Sequence, residues 1–385
     1  MKLSKYFYLI LFVLFLYGCK EKTNQKAALY FEGNIAFKLS ETTSHAGILK
    51  IFPFKDSNID YISIFDGPFK TLYIYTLKDQ KMVKKIVIKD SLFDAYDASL
   101  YINNLDSIFI LEMFKNNLYL IDSNGNTIQK IKIRNKELID FENKKGNIYI
   151  PFPCDASNSN GFYFFENKIY LSSTGNSTVD YSNNCKDIYV INLLNQKSEL
   201  TFQKPQIYYN GYWGNNFQHS LQLTFISETK QFIVSYGADH YVYETDFKTN
   251  NKKHMLKSRY LLDLKPYGYN KPSSYLQDPS IEKYNYCAGS YSNTYYDDKN
   301  KKFLRFVNLP YTDQQYNEEM KTGFQPLKRS VIITDNKFNY ITEIILDEKI
   351  TIPVFIYDGK LYFNDSDSYR KNQDSIYFKK YSIKL

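Results

Sequence analysis

The sequence predicts an all-β fold, a β-propeller of six four-stranded blades in which the N-terminal strand completes the last blade. Three observations carry this expectation. The chain holds 38 Tyr and 29 Phe but one Trp, and its apolar residues fall in short runs broken by Asn, Asp and Gly, without a long amphipathic helical period. A two-strand pattern recurs, with Leu72–Leu77 and Val83–Ile88, Leu118–Asp122 and Ile128–Ile133, Ile188–Asn192 and Ser198–Phe202 as three of its copies. Another pair of apolar runs precedes each copy, which gives four strands per unit at a period of about 40 to 60 residues, the signature of a propeller.

The elements follow in order. Met1–Gly18 reads as a leader, with Lys2 and Lys5 ahead of the apolar run Tyr6–Tyr17. That run falls short of the ~20 residues a membrane helix needs and suits a signal-peptide core. Its ending, Leu16-Tyr17-Gly18-Cys19, resembles the bacterial lipobox, which implies cleavage before Cys19 and acylation of that residue. A secretory signal that merely contains a Cys, or an uncleaved anchor, is the plainer reading. Residues 19–27 then form an acylated Cys and polar tether, and residues 28–385 a single propeller domain. Lys20-Glu21 is similar to the post-Cys export signal of some Bacteroidetes lipoproteins, which implies an outer-membrane lipoprotein facing the periplasm or the cell surface.

Ala28–Ser40 supplies a strand with no unit of its own. The regular units begin at Asp60 and continue through Ser99–Arg134, whose turns Asn103–Asp106 and Asp122–Asn126 suit tight hairpins. The last unit, ending in Ser375–Leu385, lacks its outermost strand, and Ala28–Ser40 fits that place. Seven blades stay open because Gly146–Pro151 reads as an extra strand. The repeat is interrupted by Pro151–Gly161, Ser172–Asp187, Pro205–Ser220, Leu261–Tyr291 and Pro310–Pro326, and such insertions on a rigid scaffold are where recognition is expected.

Charge and motifs narrow the function. The formal charge of +8 includes Lys2 and Lys5, so the chain from Cys19 onward carries +6. Its lysines are scattered through turns without an aromatic-interleaved cluster, which argues against nucleic acid. Four well-separated histidines, His45, His219, His240 and His254, share no ligand spacing, so neither metal nor cofactor is expected. Cys154 and Cys185 bracket a loop that a disulfide would close in an exported protein, and three reduced thiols are the alternative. The stretch Tyr208–His219 is the most suggestive. Tyr209, Tyr212, Trp213, Phe217 and His219 with neighbouring amides suit stacking on a sugar or gripping a peptide, while packing between blades explains the same residues. Arg305, after an apolar strand, suits either a carboxylate at the channel mouth or a structural partner.

Tyr295–Val307, Lys328–Asp335, Asp358–Phe363 and Asp374–Phe378 together resemble the Bacteroidetes lipoproteins of the domain-of-unknown-function 4221 family. The resemblance implies a propeller and an exported compartment, and it brings no catalytic residue. Where that family carries a Gly-Pro-Asn-Gly-like turn, this chain has Asp90–Ala98. The expected function is therefore a membrane-anchored, non-catalytic binding module for a peptide, glycan or envelope protein. The alternative is a metal-dependent hydrolase or lactonase, which would need acids or Asn from several blades at the ends of the central channel.

Overall fold

Twenty-four strands form six antiparallel four-stranded sheets in the computed structural model of the chain. It describes residues 27–39, 49–89, 98–112, 115–133, 149–150, 162–172, 174–175, 186–214, 217–268, 279–322, 327–347, 350, 352–372 and 374–385. β1 is Ala28–Lys38. Blade I is β2 (Leu49–Asp56), β3 (Ile59–Asp66), β4 (Thr71–Thr76) and β5 (Met82–Val87). Blade II is β6 (Ala98–Asn104), β7 (Ser107–Glu112), β8 (Asn117–Ile121) and β9 (Thr127–Lys132). After β10 (Tyr149–Ile150), blade III joins β11 (Phe162–Phe165), β12 (Lys168–Ser172), β14 (Lys186–Asn192) and β15 (Lys197–Gln203), with β13 (Thr174–Gly175) inside it. Blade IV is β16 (Leu221–Ile226), β17 (Gln231–Tyr236), β18 (Tyr241–Thr245) and β19 (Asn251–Met255). Blade V is β20 (Ser290–Asp297), β21 (Lys302–Asn308), β22 (Arg329–Asp335) and β23 (Tyr340–Ile345). Blade VI takes β24 (Phe355–Tyr357), β25 (Lys360–Asn364) and β26 (Ser375–Lys384) and is completed by β1, in the order β1-β26-β25-β24.

The chain's first strand thus closes its last blade, as the pattern predicts. The register runs from Ala28 opposite Lys384 to Lys38 opposite Ser375, with a bulge between Phe31 and Gly33. The extra strand expected at Gly146–Pro151 does not seed a seventh blade. Its described part, β10, pairs with β13 in a separate two-stranded ladder.

Sheets twisted in this way bury both faces only against neighbours, so the core lies between blades. Ile62, Ile64, Tyr73 and Tyr75 of blade I pack with Phe37, Phe355 and Phe378 of blade VI. Phe65, Leu72 and Ile74, on the opposite face of the same blade, pack with Ile102, Ile108 and Ile110 of blade II. Each such side chain contributes about 1.5–3 kcal/mol when fully buried, so the alternation that defines the strands also joins the ring.

Strand alternation sorts the connections between two ends of the ring. Turns within strand pairs at one end are short, and three of them share the spacing Asp-x-x-x-Asn. In blade II the Asp122 carboxylate accepts from the Asn124 and Asn126 backbone N–H groups at 2.9 and 2.8 Å and from the Asn126 amide at 2.9 Å. Asp246 with Asn250 and Asp335 with Asn339 repeat the arrangement in blades IV and V. At the other end lie the connections between blades and all the insertions. Among them are two short helices, α1 (Pro279–Cys287) and α2 (Asp313–Thr322), and a third, α3 (Ser366–Lys371).

Candidate functional site

The insertions of blades III to V fold onto one another as a cap over one end of the ring. Pro205 opens a 3-10 turn over Gln206–Asn210, and at Gly211 an added Cβ would stand 2.6 Å from Pro266 Cβ. At Gly214 the backbone is left-handed (φ +72°), and an added Cβ would stand 2.5 Å from Asn285 Oδ1 and 3.1 Å from the Tyr284 ring. Tyr212 N–H donates to Gly268 C=O and Tyr267 N–H to Tyr212 C=O, each at 2.7 Å, so the two aromatic-rich insertions share a β-bridge. Gln218 Nε2 donates to Gly289 C=O at 3.0 Å. Lys283 pairs with Asp313 at 3.0 Å, and the Tyr286 and Tyr311 rings stack with centroids 6.0 Å apart, which ties α1 to the segment before α2.

This layer places the residues singled out by sequence. Trp213 is 2 % exposed, with its indole N–H donating to Ile207 C=O at 3.1 Å. Tyr212 is buried beside it, and Tyr209, half-buried, donates its hydroxyl proton to Lys204 C=O at 2.7 Å. Tyr208 is fully buried, its hydroxyl donating to Gln218 C=O (2.6 Å) and accepting from Ala238 N–H (3.0 Å). His219 lies against the Tyr208 ring, and burial, reinforced by the Lys204 ammonium, pushes its imidazole well below the ordinary histidine range. Phe217 belongs to the short helical turn Phe217–His219, and its side chain lies outside the described residues. Tyr208, Tyr212 and Trp213 therefore pack in the interior of the cap. Cys19, Cys154 and Cys185 lie outside the described residues. Cys287 is reduced, and burial raises its thiol pKa.

Arg305 is a second buried centre. It is 0 % exposed in β21 and reaches across to the β17–β18 turn of blade IV. Its Nη2 donates to Tyr236 C=O (3.2 Å) and Asp239 C=O (2.6 Å), its Nη1 to His240 C=O and Leu256 C=O (both 3.1 Å), and its Nε to Ser235 Oγ (3.1 Å). The guanidinium carbon lies 3.5 Å from the Tyr291 ring centroid. Burial lowers its pKa to about 10, against the opposing pull of Tyr291 and Asp239, so it stays charged at neutral pH. Its donors are committed to the fold. The Tyr291 hydroxyl accepts from Ser258 N–H at 3.1 Å and shares a hydrogen bond of 2.6 Å with His240 Nδ1.

Sequence reasoning missed the polar groups beneath this cap. Gln218 Oε1, Gln222 Oε1, Asn285 Oδ1 and Ser292 Oγ are buried between blades IV and V and hydrogen-bond to no described protein group. The bulge in β20 between Tyr291 and Thr294 is what turns Ser292 out of the ladder. A pair of amide residues four apart, Gln218 and Gln222, where the chain enters β16 was the available signal. The innermost strands of neighbouring blades meet through rings. Tyr101 packs on Phe52, Phe162 and Tyr163, and Tyr163 on Phe225, so blades I to IV meet through aromatics. The inner-strand acids Asp56 and Asp297 accept from backbone N–H groups of Leu105, Lys299 and Asn300. Among the described residues no three His, Cys, Asp or Glu side chains are grouped to hold a metal.

At the opposite end a cleft of about 580 Å³ opens where blade VI meets blade I, with Ile59, Asp60, Lys78, Tyr357, Tyr362 and Lys380 in its wall. The Tyr357 hydroxyl donates to Asp60 at 2.9 Å. Burial first, and then that hydrogen bond, push the Tyr357 pKa up to about 12, so it donates throughout the physiological range.

The family described as "Domain of unknown function (DUF4221)" matches this chain over residues 50–345. Among solved structures, a DUF4221 member from Bacteroides vulgatus superposes with a TM-score of 0.70 at 16% identity, covering 93% of this chain and 98% of that one. A candidate exported protein from Bacteroides fragilis does so with a TM-score of 0.53 at 10% identity, covering 93% and 96%. No curated protein matches. These likenesses bear on the fold, a six-bladed propeller.

Proposed function

The chain belongs to the DUF4221 family, and from that premise we propose that it is a membrane-anchored, non-catalytic propeller that binds a polypeptide partner through its capped end. The anchor is the acylated Cys19, in the outer membrane. The lipobox-like ending of the leader and the exported class of the Bacteroides fragilis relative support this compartment.

One observation carries the reading. Connections at one end of the ring are at most five residues long, whereas every longer one gathers at the other end. Inside that cap the rings are used up in packing, which favours a partner that reads its outer surface over a sugar that must stack on open aromatic faces. Its outer surface offers exposed Tyr260 and Leu262 beside Arg259 and Asp263 in the chain, and exposed Met320 beside Glu318 and Lys321 in α2. Apolar residues within a charged rim suit a protein interface.

The test is affinity capture from envelope extracts with the wild type, the double variant Leu262→Asp/Met320→Asp, and Leu194→Asp in a blade III turn at the other end. An envelope protein retained by the wild type and by Leu194→Asp, and weakened about tenfold or ~1.4 kcal/mol by the double variant, supports the reading. The same partners recovered equally with the double variant would refute it.

A further inference from the structure

The uncapped end has an exposed corner of its own. β1 starts there and β26 finishes there, with Ala28 paired to Lys384. Tyr30 is 54 % exposed, Phe31 49 %, and the terminal Leu385 is exposed beside them. Lys384 Nζ lies 3.6 Å from the Tyr30 ring centroid, and the Phe31 ring leans on Tyr381 with centroids 5.4 Å apart. By contrast Leu29 and Ile383, on the same two strands, pack against the core of blade V. Tyr30 and Phe31, half exposed despite these contacts, are thus the part of the corner left facing solvent.

The charges nearby suit an anionic surface. Glu32 is bound by Lys360 and faces Lys380 at 3.9 Å, and those ammonium groups hold its carboxyl below the usual range. Lys384, whose ammonium lies over the Tyr30 ring, adds a further positive charge to the corner. Tyrosine rings with lysines alongside are the side chains that settle at a membrane–water interface, the ring at headgroup depth and the ammonium reaching phosphate.

We propose that the corner formed by Tyr30, Phe31, Lys384 and Leu385 rests on the lipid headgroups and holds the capped end away from the membrane. This rests on the acylation of Cys19 proposed above. Seven residues lie between Cys19 and Ala27, and the eight Cα steps at ~3.3–3.6 Å each reach at most about 29 Å. A strand of eight residues spans about 26 Å, so the tether confines this corner to within about one strand length of the bilayer. The aromatic corner converts that loose attachment into one orientation.

The test uses the full acylated protein reconstituted in phosphatidylethanolamine–phosphatidylglycerol vesicles with brominated acyl chains. Tyr30→Trp reports the corner and Leu262→Trp the cap, while the buried Trp213 gives a common background. Bromine should cut the added emission of Tyr30→Trp about twofold, because a ring at the headgroup–acyl boundary sits ~5–10 Å deep. Leu262→Trp should be unaffected. Equal quenching of both, or none at Tyr30→Trp in acylated protein, overturns the placement alone. A mass spectrum showing no acyl chain on Cys19 overturns the anchoring reading and the placement with it.

Discussion

At the uncapped end of the ring, neighbouring blades are joined by side chains of the turns themselves. Tyr357 of blade VI reaches Asp60 of blade I, Asp56 of blade I caps Leu105 of blade II, and Lys248 of blade IV faces Glu166 of blade III at 3.9 Å. Blade V is stitched on both sides, by Lys301 to Glu228 and by Lys299 to Asp358. At the capped end the blades are joined instead through inserted segments and one buried guanidinium. The difference is one of solvent. The stitching is mostly exposed and each pair contributes little, whereas the cap's polar contacts are dry and costly to break.

The sharpest test of that contrast is Arg305→Met. It removes the guanidinium from the carbonyls of Tyr236, Asp239, His240 and Leu256, of which His240 and Tyr236 keep a backbone N–H donor. Loss of about 3–5 kcal/mol is expected in urea unfolding, the range for removing one side of a buried charged network. Hydrogen exchange should rise first across residues 236–241.

Acid should separate the two ends next. Burial holds both His219 and His240 below the ordinary range, with Lys204 near the first and Lys257 and Arg305 near the second. They are neutral when folded and take up protons when unfolded below about pH 6.5, so stability falls as pH drops from there, by up to ~1.4 kcal/mol per unit for each. The turn aspartates Asp122, Asp246 and Asp335 have lowered pKa values, because backbone and Asn side-chain N–H groups donate to them. Their contribution is present above about pH 4 and lost only below it. Emission of Trp213, inside the cap, should therefore change between about pH 6.5 and 5 while the sheets persist by circular dichroism. Coincident loss of both signals near pH 4 would contradict this.

The smallest effect belongs to the stitching. Glu228→Gln, which removes the partner of Lys301, should cost at most about 0.5 kcal/mol in the same urea assay. A cost matching that of Arg305→Met would dissolve the distinction between the ends.

The ring was legible in the sequence because its determinants are local. Alternation within Thr71–Thr76 and Asn117–Ile121, and turns such as Asp122–Asn126, are set by neighbours a few residues away. Even the closure by Ala28–Lys38 could be inferred, from a strand left over at one end and one missing at the other. The cap was not legible. Gln218 meets Gly289 across 71 positions and Arg305 meets Asp239 across 66, and its acceptors there are backbone carbonyls, which every residue possesses. The burial of Trp213 was not legible for the same reason. Nothing within Tyr208–His219 indicates that Tyr267 and Asn285 will lie over it.

The pairing of β1 with β26 also sets a timetable. The strand made first is hydrogen-bonded to the strand made last, so Ala28 waits for Lys384 while five blades assemble between them. Such a contact has nearly the greatest sequence separation the chain allows, and loop-closure entropy places it among the last to form. Until then the edges of β1 and β26 stay open to pairing with other chains. Completion of the sixth sheet is thus a checkpoint on the whole polypeptide, because a chain that stops short of Ser375 leaves its first strand without a partner.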